Sequence, residues 1–190
     1  MNSINHIRLF VAVPIPSSIK QAIDTWMEEI KPHFPFRKWV HPSDLHITLQ
    51  FLGDTPADLA PQIMLALEQI SKESSPLTLR LAPLGTFGRP PHPSVLWAGI
   101  SGDVEGLHSL QQQVVRALIP MGFTPEERTF HPHMTLARNY ASTIPFDRTK
   151  LSDFPVPSSP EGKGLQWTAD EITLYRSHLN RRPMYEVVTS

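Results

Sequence analysis

Cysteine is absent from the 190-residue chain. Its absence excludes disulfides, thiolate nucleophiles and any Cys-built zinc site. Long apolar runs are missing too, since none approaches the roughly 18 residues that a membrane-spanning helix needs. The apolar segment Leu9 to Val13 is too short for a signal-peptide core and runs into Pro14-Ile15-Pro16 rather than a small-residue cleavage site. No membrane association and a cytoplasmic location are therefore expected. Nor is there an excess of one charge: 17 Lys and Arg face 18 Asp and Glu, for a net charge of −1. A basic field of the kind that holds long duplexes by counterion release is thereby excluded. A nucleic-acid ligand has to be gripped locally, at an end or a single nucleotide. The chemistry that remains belongs to His, carboxylate and hydroxyl groups.

With 40% hydrophobic and 18% charged residues, the chain has the composition of a globular protein with a sizeable core. Its 20 prolines gather between elements, at 32–35, 90–93 and 155–160, and read as stiffened loops. Two of the 9 histidines stand in a repeated unit, His46-Ile47-Thr48-Leu49 and His133-Met134-Thr135-Leu136. Chance supplies about 0.6 His-x-Thr triplets in such a chain but only about 0.06 His-x-Thr-Leu units, so the repetition carries the signal. On a strand, residues two apart share a face, which pairs His46 with Thr48 and His133 with Thr135. An imidazole gives or takes a proton near neutrality, and the hydroxyl beside it can donate to an anion. Two such units facing each other make an acid, a base and a phosphate clamp.

The units lie 87 residues apart, and the same offset superposes their surroundings. Ile7 to Val13 reads as a strand whose counterpart is Ser94 to Ile100. Each is followed by an amphipathic helix. The first runs from about Ser17 to Ile30, capped by Ser17 or Ser18, with Ile19, Ile23, Trp26 and Ile30 at helical spacing. The second runs from about Asp103 to Ile119, with Leu107, Leu110, Val114 and Leu118 on one stripe. Another helix is expected from about Pro56 to Lys72, then a hairpin of Leu77 to Leu81 with the Trp97 strand. A late hairpin joins Ile172 to Ser177 with Met184 to Val188, and 142–164 carries no recognisable pattern.

The expected fold class is α+β, a single domain over 1–190 with repeats at about 7–83 and 94–188. Two pseudo-twofold-related lobes of mainly antiparallel sheet, with outer helices, enclose a central cleft where the His-x-Thr strands face each other. The hairpin tips Phe87-Gly88-Arg89 and His178 to Arg182 fall at its rims, where Arg89, Arg181 and Arg182 are available to phosphate. Nothing suggests an obligate dimer, and a monomer is expected.

The stretches His46-Ile47-Thr48-Leu49-Gln50-Phe51-Leu52-Gly53 and His131-Pro132-His133-Met134-Thr135-Leu136-Ala137-Arg138 resemble the paired His-x-Thr-x motifs of the 2H phosphoesterase superfamily. Within it they are most similar to the RNA 2',3'-cyclic phosphodiesterases, also called LigT-type 2'-5' RNA ligases. The resemblance runs from Arg8 to Val13 at one end to Tyr185 to Val188 at the other. It implies the bilobal LigT-like fold, a metal-independent reaction without cofactor, and hydrolysis of a 2',3'-cyclic phosphate RNA end to a 2'-phosphate. It also implies that His46 is the proton donor to the leaving 3' oxygen and His133 the proton acceptor that activates water. The substrate is then RNA with a cyclic phosphate end or a small cyclic nucleotide. The residues agree, because opening a cyclic diester needs a base on one side of phosphorus and an acid on the other. Thr48 and Thr135 would hold the non-bridging oxygens as charge builds.

Other residues stay open at this level. Arg138 is an odd number of positions from His133 and Thr135, so on a regular strand it points away from them, toward an indirect substrate role or a plain salt bridge. Phe51 either stacks an RNA base or belongs to the core, with core favoured. His131 shares parity with His133 and can approach His46. That raises a rival, a metal-dependent hydrolase built on His46, His131 and His133 with Asp44. A second rival is a non-catalytic module that binds RNA ends or nucleotides. Reversible 2'-5' ligation is the same in-line chemistry run backward, and the motifs do not separate it from hydrolysis.

Overall fold

The computed structural model describes residues 4–189. Strand β1 (His6–Pro14) opens the chain. Its residues Leu9, Val11 and Val13 enter the main core, while Phe10 and Ala12 between them join Tyr175 in a second, smaller apolar cluster. Alternation on a strand sends the two sets to opposite faces, so β1 is apolar on both sides and lies inside its sheet. Helix α1 (Ser17–Ile30) buries Ile19, Ile23, Trp26, Met27 and Ile30 on one stripe. Neither serine caps it. Pro16 holds the extended backbone of a cap residue, and its carbonyl accepts from the N–H groups of Ile19 and Lys20, both at 3.0 Å.

The proline-rich stretch that follows hides a short strand, β2 (Phe36–Trp39). A single 3-10 turn, Pro42–Asp44, then delivers the chain to β3 (His46–Pro56). Helix α2 (Ala60–Glu73) starts after a 3-10 turn at Ala57–Leu59, a few residues later than its pattern suggests. Strands β4 (Leu77–Arg89) and β5 (His92–Gly102) form the long central hairpin, and α3 (Val104–Leu118) follows it. After β6 (His133–Tyr140), the patternless segment holds a 3-10 stretch at Arg148–Asp153. The chain closes with β7 (Gln166–Ala169), β8 (Thr173–Ser177) and β9 (Tyr185–Val187).

Two antiparallel sheets result, ordered β3-β1-β8-β9 and β2-β6-β5-β4-β7. The 87-residue offset lays β1 on β5, α1 on α3 and β3 on β6. The halves nevertheless exchange two strands each: β2 and β4 lie in the sheet of β5 and β6, and β8 and β9 in the sheet of β1 and β3. β4, from the first half, pairs with β5 in the second sheet, and β8, from the second half, pairs with β1 in the first. The fold is therefore α+β and bilobal, with the lobe boundary crossing the repeat boundary. Strands β3 and β6, which carry the two His-x-Thr units, approach each other between the sheets.

Candidate active site

His46 begins β3 with its ring half-buried among aromatics, 4.9 Å from Phe10, 5.2 Å and edge-on from Tyr185, and 6.2 Å from Tyr175 between ring centres. Its Nδ1 lies 2.6 Å from the Asp44 carbonyl. A carbonyl only accepts, so Nδ1 carries the proton and donates. Nε2 of the neutral ring then accepts from the Thr48 hydroxyl at 2.9 Å. Asp44 is buried, and its carboxylate accepts from the backbone N–H groups of Met184 at 2.8 Å and Tyr185 at 3.1 Å. The turn that carries His46 is thereby fastened to the β8–β9 hairpin. Loss of solvent, the largest influence on the ring, pushes its pKa down to about 4, and the nearby His133 and Arg138 add to the fall.

His133 begins β6 in the same way, with Nδ1 donating to the His131 carbonyl at 2.6 Å. Its walls are Phe87, edge-on at 4.8 Å, and Trp97 at 6.2 Å. Burial again lowers its pKa, helped by the charges of His131 and Arg138. The Trp97 indole lies across β4 at Gly85, where a Cβ would sit 2.2 Å from the ring. Only glycine lets the indole lie there. His131 is exposed, tilted against Trp97 at 4.9 Å and 6.3 Å from His133.

Two bulges revise the expected facing of Phe51 and Arg138. Opposed residues in an antiparallel ladder share a face. Along β3, Thr48 opposes Ala12 and Phe51 opposes Phe10, with the register slipping between them. Along β6, His133, Thr135 and Arg138 oppose Gly99, Trp97 and Val95, with a slip after Thr135. Each bulge inserts one residue and restores parity, so Phe51 joins the face of Thr48, and Arg138 the face of His133 and Thr135. Phe51 is not core: it is 57% exposed. Arg138 is exposed, and its charge reaches both histidines and Tyr185. Phe51 and Arg138 occupy equivalent positions under the 87-residue offset.

Thr48, Phe51, Phe87, His131 and His133 line one cavity of about 480 Å³. Thr135 is half-buried on the strand face it shares with His133. Among the described residues, no three His, Cys, Asp or Glu side chains gather as metal ligands would. His131 leans on Trp97, and Asp44 spends both oxygens on backbone N–H groups, so the three-histidine arrangement is not assembled. The reading of sequence alone missed the aromatic box of Phe10, Tyr175 and Tyr185 and the Gly85–Trp97 contact. The alternation of β1 already places Phe10 and Ala12 on one face, and that was the available signal for the box.

Paired imidazoles on symmetry-related strands, each donating through Nδ1 to the carbonyl two residues upstream, stand between the two sheets. The model of the 2'-5' RNA ligase superfamily matches residues 15–181, and the chain belongs to that family. An RNA 2',3'-cyclic phosphodiesterase of Geobacillus stearothermophilus is 36% identical over 95% of the chain, which spans 55% of that relative's length. Its Bacillus subtilis namesake is 32% identical over 94% of the chain and 92% of its own length. Among solved structures, Escherichia coli LigT complexed with 3'-AMP superposes with a TM-score of 0.73 at 26% identity, covering 97% of each chain.

Proposed function

We propose that the chain hydrolyses the 2',3'-cyclic phosphodiester at an RNA end to a 2'-phosphomonoester, without a metal ion. The observation that carries this reading is that both imidazoles commit Nδ1–H to the carbonyl two residues upstream, leaving Nε2 as the reactive nitrogen on each wall. Water attacks phosphorus as His133 Nε2 takes its proton; the bond from phosphorus to the 3' oxygen breaks as His46 Nε2–H protonates that oxygen. Thr48, Thr135 and Arg138 carry the charge on the non-bridging oxygens. The activity for which the curated relatives are named, and the complex of LigT with 3'-AMP, support the substrate class.

Burial supports the polarity as well. The protein alone holds both rings neutral at pH 7, and the negative phosphodiester supplies the counter-charge that favours one imidazolium. His46, with the more strongly depressed pKa, is the stronger acid once protonated, and His133 is the stronger base. A 5'-hydroxyl in place of water attacks phosphorus in the same direction, the bond to the 3' oxygen again breaks, and the product is a 2'-5' linkage; the reverse of that step cleaves such a linkage back to the cyclic phosphate.

The test is incubation in excess EDTA with a short RNA ending in a 2',3'-cyclic phosphate, resolving 2'- from 3'-phosphate product. The expected result is 2'-phosphate, with kcat falling about 10²- to 10⁴-fold in His46→Ala and in His133→Ala. Turnover only on adding a divalent metal, or a 3'-phosphate product, would overturn the reading.

A further inference from the structure

A second cavity, of about 550 Å³, opens beside the cleft between β2 and the β8–β9 turn. Lys31, Arg37, Lys38, Arg138, Arg181 and Arg182 line it. Six of the chain's 17 Lys and Arg thus converge on one groove in a molecule whose net charge is −1. Asp44, the sole carboxylate among the lining residues, has both oxygens occupied by backbone N–H groups. Lys31 pairs with Glu28, and Arg181 with Glu186 at 3.4 Å. Arg37 and Lys38, both exposed on β2, have no ion pair among the described residues. Arg182 donates to the Trp39 carbonyl at 3.0 Å, joining the hairpin turn of one lobe to the edge strand of the other. Like charges brought together at the surface repel and lower stability, unless a polyanion lies among them.

The groove meets the site at Asp44, Tyr185 and Arg138, and the aromatic cavity lies on the Thr48 and Phe51 side. An RNA end closed as a 2',3'-cyclic phosphate keeps one link to its chain, through its 5' oxygen. The strand can leave the cleft in only one direction. We propose that the groove is the track for the single-stranded RNA upstream of the cyclic end, with its phosphates on Arg37, Lys38 and Arg181. The proposal rests on the cyclic phosphodiesterase reading and adds to it the surface that holds the RNA on the 5' side of the reacting end.

The measurement is kcat/KM for a 2',3'-cyclic mononucleotide and for a hexaribonucleotide with a cyclic phosphate end, across a salt series, in the wild type and Arg37→Gln/Lys38→Gln. Each phosphate contact to a single strand contributes about 0.7 to the slope of log affinity against log salt, so three contacts give a slope near −2 for the hexamer. The double variant is expected to lose about tenfold in kcat/KM on the hexamer, through KM, to flatten its slope by about 1.4, and to leave the mononucleotide within about twofold. A hexamer unaffected by the variant, or both substrates falling together, would overturn the groove while leaving the cyclic phosphodiesterase reading in place. Turnover of neither substrate by the wild type would overturn both.

Discussion

The two walls of the cleft are built from the same motif and differ in what stands behind it. His46 sits in a box of Phe10, Tyr175 and Tyr185, and its turn is fastened by a buried carboxylate to a hairpin 140 residues away. His133 rests on Phe87 and Trp97 at the mouth of a cavity, with the exposed Arg138 on its strand. Their motif triads are alike; their surroundings set different proton affinities. At the equivalent positions three residues past each threonine, one wall presents an aromatic ring, Phe51, and the other a guanidinium, Arg138. A repeat thus becomes asymmetric through its second layer, where one half packs aromatics and the other brings charge.

The strongest way to expose the asymmetry is pH. His46 has a folded-state pKa of about 4 against an ordinary 6.5, so below 6.5 the unfolded chain binds the proton and the folded chain resists it. The stability this ring contributes is complete above pH 6.5 and is lost as the pH falls toward 4. The shift corresponds to about 3 kcal/mol. Urea unfolding at pH 7 and pH 4.5 should show about 2 kcal/mol of that loss in the wild type and a shallower one in His46→Asn. Equal losses would place the burial penalty elsewhere. His133→Asn should flatten the slope less.

Making the walls alike comes next. Arg138→Gln removes the charge that distinguishes the second wall, and a hydrogen bond to a charged group is worth about 1.5–3 kcal/mol. A fall in kcat/KM of about 10- to 100-fold is expected, partly restored by Arg138→Lys. Activity within twofold of wild type would return Arg138 to the role of a surface residue. The smallest effect is expected from Asp44→Asn. The amide oxygen still accepts one backbone N–H, and the loss should be about 1 kcal/mol of stability. Because the turn carrying His46 loosens, kcat should fall while KM holds, and a change in KM alone would argue against this coupling.

Much of this asymmetry was hidden in the sequence for a physical reason. The helical stripes and the alternation of β1 are local patterns, and α1 begins and ends at the expected residues, Ser17–Ile30. The paired His-x-Thr units were legible because repetition is also a property of the sequence. Register is not. A one-residue bulge reverses every facing beyond it, and nothing in Leu49-Gln50-Phe51 or Leu136-Ala137-Arg138 announces one. The four residues of β2 and of β7 are too short for periodicity to show, and their partners β6 and β4 are far away in sequence. The tie from Asp44 to Met184 and Tyr185 joins segments that no window spans.

The strand exchange sets the order in which the molecule can assemble. β1 carries residues of the first wall, yet Leu9 finds its partner Arg176 only 167 residues later. A chain emerging from the ribosome can complete the β4–β5–β6 ladder, and with it the strand of His133, while β1 still has an unpaired edge. The aromatic box of His46 closes only when Tyr175 and Tyr185 arrive. Long-range pairing of this kind slows folding and leaves an exposed strand edge in the meantime. The earlier histidine of the pair to be translated is thus the last to acquire its surroundings, and completion of the candidate site coincides with completion of the fold.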